Sequence, residues 1–123
     1  MHEYAQQEQS KYQSMTDICA LARSGGGAKY LDIPTARSFL KFVRKKNSAV
    51  TSAENFAFTP AGNEIVGKHD FFWTQTLPEN HTWQSWYSFL NEKFAELLDT
   101  AKLDVNENYF HVWAGMKGDQ SYD

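Results

Sequence analysis

The chain predicts an α+β domain, three helices packed on one face of a small antiparallel sheet. Three observations carry this expectation. Three stretches space their apolar residues at the helical period. Two others are rich in aromatic and β-branched residues bounded by turn-formers. No repeat, low-complexity tract or linker divides the 123 residues, so the expectation is a single domain over 1–123 with a polar tail at 117–123. With 41% hydrophobic residues, nine Phe, six Tyr and four Trp, the chain has ample material for one core and does not read as disordered. That many rings also places some of them near the surface, where they favour partner contacts.

The first helix is expected over about 3–23. Tyr4, Lys11/Tyr12, Met15, Ile18/Cys19 and Ala22 recur near the 3.6 period, with Gln and Glu between them. Ser24 to Gly27, "SGGG", ends it, because three glycines in a row cost too much backbone entropy to continue a helix. The glycines follow a helix rather than a strand and lack the spacing of a phosphate-binding loop.

The second helix is expected over about 34–46. Asp32 or Ile33 precedes Pro34, which suits a first helical turn, and Asn47-Ser48 ends the run. On a helical wheel Arg37, Lys41, Arg44 and Lys45 share one arc, and Ala36, Phe39, Leu40, Phe42 and Val43 share the opposite one. Lys46 and Lys29 can extend the basic arc.

A β-hairpin is expected over about 54–74. "ENFAFT" and "NEIVGKHDFFWT" flank Pro60-Ala61-Gly62, which suits a type I turn followed by a left-handed glycine. Ile65, His69, Phe71 and Trp73 would share a face of the second strand, with Gly67 as a bulge. The third helix follows, about 82–102, with Thr82 as N-cap. Trp83, Trp86, Tyr87, Leu90, Phe94, Leu97, Leu98 and Ala101 lie on its apolar face, and Glu92, Glu96 and Asp99 oppose them. A last strand, about 108–114, puts Tyr109, His111 and Trp113 on one side and Phe110 and Val112 on the other.

Several function classes are argued against. One cysteine, Cys19, cannot form a disulfide framework and fits a reducing cytoplasm. The polar opening "MHEYAQQEQSKYQ" lacks the apolar core of a signal peptide, and no apolar run reaches a membrane-spanning length, so no membrane partner is expected. Cys19, His2, His69, His81 and His111 include no helical i,i+4 pair and no C-x-x-C unit, so neither a metal nor another cofactor is expected. There is no G-x-S-x-G elbow. His69 and His111 are the best general-base candidates, each on an aromatic strand face, with a hydrogen-bonded structural role as the competing reading.

Charge supplies the remaining signal. Net charge is −3, yet residues 1–50 hold eight Lys or Arg against four acids, and residues 51–123 hold four against eleven. The arc Arg37, Lys41, Arg44, Lys45 and Lys46 is therefore the candidate binding site. Such cations can meet an acidic protein or successive phosphates. Both the basic arc and the acidic stripe lie opposite their helices' apolar faces, so both are expected to point to solvent rather than toward each other across the core, and pairing between them is open only to laterally adjacent helices. The resulting expectation is a small non-enzymatic cytoplasmic binding or regulatory protein acting through a protein–protein interface, of the kind found among phage or mobile-element accessory proteins, inhibitors and immunity proteins. A homodimer is compatible with it. The alternatives are nucleic-acid backbone binding through the basic arc, and a small enzyme using His69 or His111.

Overall fold

The computed structural model describes residues 3–72 and 79–116. The strand that comes last among them is the middle of the sheet. This strand, β5 (Glu107–Met116), lies between β1 (Ala28–Asp32) and β2 (Ser48–Phe58), and β2 pairs beyond it with β3 (Glu64–Val66) and β4 (Phe71–Phe72). All pairings are antiparallel. The β2–β5 ladder runs from Ser48 opposite Met116 to Phe58 opposite Glu107, with one register shift between Val50 and Ser52. The helices are α1 (Glu3–Gln9), α2 (Met15–Ala22), α3 (Ile33–Lys45) and α4 (Trp83–Ala101). The class is therefore α+β, as expected, with four helices in place of three.

The extra helix comes from a break at residues 10–14, inside the stretch expected to form one helix over 3–23. The two halves serve opposite faces of the sheet. Ala5 of α1 packs with Tyr30, Phe58 and Tyr109 on one face. Ile18 and Ala22 of α2 join Phe39, Leu40, Val43, Phe94 and Leu98 over Val50, Ala53, Phe110 and Val112 on the other. A continuous helix could not cover both. Ser14 caps α2 by accepting from the Asp17 N–H, and Tyr12 is drawn out of the helical path onto the edge of β1. The expectation that all helices lie on one face is corrected to three against one.

The segment between Ser24 and Ile33, read from sequence as a connection, contains β1. Its strand is short and irregular, with Tyr30 at φ 59°, which hides it from pattern reading. The glycines before it act as a seat for two rings. Trp113 Nε1 donates to Gly25 O at 3.1 Å, and the His111 ring bonds Gly26 O. A side chain at Gly27, where φ is +70°, would meet both His111 and Trp113 at under 3 Å.

The second helix forms as expected. Asp32 caps it by accepting from Thr35 N at 2.8 Å, Pro34 lies in the first turn, and Arg44 and Lys45 lie in the last, where cations suit the helix dipole. Asn47, in the left-handed region at φ 54°, ends it. The α4 start is fixed by a reciprocal box in which Thr82 and Ser85 bond each other's backbone N–H. Asn91, on the apolar side of α4, accepts from Val50 N at 3.0 Å and donates to Ser48 O at 3.1 Å, which ties the helix to β2 beside its register shift.

The hairpin turn is as expected: Gly62 N donates to Thr59 O at 2.8 Å and Gly62 has φ +89°. The second strand of the hairpin is not continuous, however. It divides into β3 and β4, and β2 starts at Ser48, earlier than expected. Trp73 lies outside the described residues, as does the tail at 117–123. Asn55 makes the division. Its Oδ1 accepts from His69 N, its Nδ2 donates to Tyr109 O, and its side chain fills the space that a Cβ on Gly67 would need. Gly67→Ala, whose Cβ would fall 1.8 Å from Asn55 Oδ1, should therefore cost at least about 1–3 kcal/mol in urea unfolding; a midpoint unchanged from the native chain would refute this account of the glycine.

Candidate interaction surfaces

The basic arc is partly neutralised. Helices α3 and α4 run side by side and antiparallel, so residues seven apart on one meet residues seven apart on the other. Arg37 pairs with Asp99 at 2.8 Å, and Arg44 with Glu92 at 3.6 Å. Lateral adjacency on a shared sheet face, the one arrangement left open to the two stripes, brings their flanks together. Glu96 is taken by Lys93 of its own helix. Lys46 lies over the Phe42 ring at 5.6 Å. Lys41 and Lys45 are exposed and form no ion pair among the described residues. Of the five candidate residues, then, two bridge to α4, one covers an aromatic ring and two face solvent freely.

The two histidines are structurally engaged. His69 and Asp104 are buried against each other, with His69 Nε2 at 2.9 Å from Asp104 Oδ2. An ionised carboxylate only accepts, so the ring donates from Nε2 in this contact. The backbone N–H of Asn106 and the His69 ring hold the Asp104 carboxyl down to about 2, from the ordinary 3.8. The pair joins the β3–β4 connection to the segment between α4 and β5. His111 stacks on Trp113 with ring centroids 4.1 Å apart and bonds the glycine segment, as described above. Among the described residues, no group of three His, Cys, Asp or Glu side chains converges as metal ligands. No described helix is long and apolar enough to cross a membrane.

The sheet's two edges are treated oppositely. At β1 the Tyr12 hydroxyl donates to Lys29 O at 2.8 Å and accepts from Lys29 N at 2.7 Å, while Gln9 Oε1 accepts from Asp32 N at 3.1 Å. Side chains thus occupy the hydrogen-bonding positions that a further strand would need. At β3 no such cover exists among the described residues. Val66 is 82% exposed there, and Ile65 is exposed beside it. Close by, Leu103 and Val105 are each 84% exposed and, with Lys68 and His69, border a shallow hollow of about 400 Å³. Sequence reading missed this surface because Ile65 and Val66 look like ordinary hairpin residues. Which side of a hairpin is left unpaired depends on where β5 inserts.

Comparison with models of protein families, with curated proteins and with solved structures finds no match to this chain.

Two outcomes follow from these geometries. The carboxylates of the interhelical pairs are about 70% exposed, so Asp99→Ala and Glu92→Ala should each change unfolding free energy by less than about 1 kcal/mol, an effect that fades at high salt; a loss above about 2 kcal/mol in either would contradict this. Asp104 has a folded pKa below its ordinary value, so its contribution is present above about pH 4 and is lost as pH falls toward about 2. The stability gap between the native chain and Asp104→Asn, measured by urea unfolding, should accordingly shrink across that window rather than widen.

Proposed function

We propose that the protein is a small non-enzymatic binding module that regulates by contact with another polypeptide, and that the contact is made by strand addition at the β3 edge. One observation carries the reading: the β1 edge is capped by Tyr12 and Gln9, while no described residue covers the β3 edge, where Ile65 and Val66 are exposed. A docked strand would gain main-chain hydrogen bonds from β3, and its side chains could rest against Ile65 and Val66, or reach Leu103 and Val105. The single cysteine, Cys19, supports a cytoplasmic setting. A contact-only regulator of this size is the kind of protein that inhibitors, immunity proteins and mobile-element accessory proteins exemplify.

The structure offers less support to the alternatives. Nucleic-acid backbone contact would rest on Lys41, Lys45 and Lys46, with Arg37 and Arg44 shared with carboxylates of α4 that lower the positive potential of the arc. For catalysis, His69 is buried and His111 is stacked on Trp113, and one nitrogen of each ring joins two chain segments, which is a structural role sufficient in itself.

The decisive variant is Val66→Pro. It removes an outward main-chain donor at an edge position, where proline is tolerated in a sheet. Affinity capture from the source cells with the native chain as bait should retain a stoichiometric partner, another protein or a second copy of this chain, and Val66→Pro should lose it while its circular dichroism stays native. Undiminished capture by Val66→Pro would overturn strand addition.

A further inference from the structure

We propose that the hollow between the first turn of α3 and the last turn of α4 binds a small organic anion whose far end carries an N–H or O–H donor. The proposal is independent of the β3 edge.

The hollow measures about 520 Å³, within the range of small-molecule sites, and β5 begins beneath it. Ile33, Pro34 and Ala101 give it apolar walls. Asn108 also lines it. Alternation along β5 places this residue with Phe110 and Val112, on the side of the sheet that carries α3 and α4. Asn108 is 4% exposed, and its Nδ2 donates to Ala101 O at 3.3 Å and to Asn106 O at 3.2 Å. Those carbonyls fix the orientation of the amide, since exchanging its oxygen and nitrogen would set oxygen against oxygen. Oδ1 is therefore held away from the end of α4, toward the α3 side of the hollow. It is buried and has no hydrogen-bond partner among the described residues. The other two buried asparagine amides described above differ: Asn55 Oδ1 accepts from His69 N and Asn91 Oδ1 from Val50 N. A buried acceptor without a donor is costly, so a donor brought to Oδ1 gains more than it would at the surface.

The rim defines the other end of the ligand. Lys102 is exposed and forms no ion pair among the described residues. Arg37 gives one N–H group to Asp99 and keeps the rest of its fork. The two carboxylates of the lining are already engaged. Asp32 accepts from Thr35 N and from Gln9 Nε2, and Glu107 accepts from the Tyr109 hydroxyl at 2.6 Å. Uncommitted cationic donors thus stand at the rim, and an uncommitted neutral acceptor stands deeper in. A carboxylate or phosphate meets the first and an N–H or O–H group meets the second. The body between them would lie on Ile33, Pro34 and Ala101.

The test is an NMR titration of the full chain, read at the side-chain amide of Asn108, with para-hydroxybenzoate, para-hydroxyphenyl phosphate, benzoate and phenol. The first two carry both functions and distinguish carboxylate from phosphate as the anion. Benzoate lacks the donor, and phenol lacks the anion. At least one of the first two should shift the Asn108 resonances saturably and bind about tenfold more tightly than benzoate and phenol. Lys102→Glu, at an exposed position, should weaken that binding on the order of tenfold while the rest of the spectrum stays native. Asn108→Leu should reduce para-hydroxybenzoate to the affinity of benzoate. If that variant does not fold, the comparison with benzoate and the effect of Lys102→Glu still decide. No shift at Asn108 from either bifunctional compound at millimolar concentration overturns the site. Benzoate binding as tightly as para-hydroxybenzoate, or binding that ignores Lys102→Glu, overturns the assigned ligand chemistry and leaves Oδ1 to water alone.

Discussion

The fold depends on the insertion of β5 between β1 and β2. These two strands do not pair with each other, and the slot between them is filled by β5. Its residues then serve both faces. Phe110 and Val112 complete the layer under α2, α3 and α4, while Tyr109 completes the smaller layer under α1. Because the two layers share one strand, neither can loosen without disturbing the other. The contacts that matter most join residues far apart in sequence, which makes this a topology that folds by slow, non-local pairing.

Polar side chains supply the precision that apolar burial does not. Asn91 and Asn55 are both buried, and each bonds backbone of a neighbouring segment. The Asp104–His69 pair does the same for two connections. A hydrophobic contact can slide by an ångström at little cost, whereas a buried amide or carboxylate that loses its partner leaves an unsatisfied group in the interior. These residues specify register and loop course more than they add to the total burial.

What was legible in the sequence followed from local periodicity and local chemistry. The α3 and α4 helices, the Thr82 cap and the turn at Gly62 are all determined within a few residues, and sequence reading found them, while the start of α3 stayed open between Asp32 and Ile33. The break between α1 and α2 was not legible, since Tyr12 fits the helical period and leaves it only to reach Lys29 of β1. The division of the hairpin into β3 and β4 was legible only at Gly67; its cause, Asn55, lies in another strand. The basic arc was seen as one surface, but its pairing with α4 depends on two helices lying side by side, which no wheel can show. The β3 edge was invisible for the same reason: it is a property of strand order, not of any segment.

The Tyr12 hydroxyl has a consequence beyond its two hydrogen bonds. A sheet with two open edges can add copies without limit, and such growth ends in fibres. Here one border is sealed by the chain's own N-terminal segment. A strand can therefore be added to this sheet at one border at most, so strand-by-strand growth in both directions is blocked. A phenol that mimics both the donor and the acceptor of a missing strand thus serves as protection against edge-to-edge aggregation.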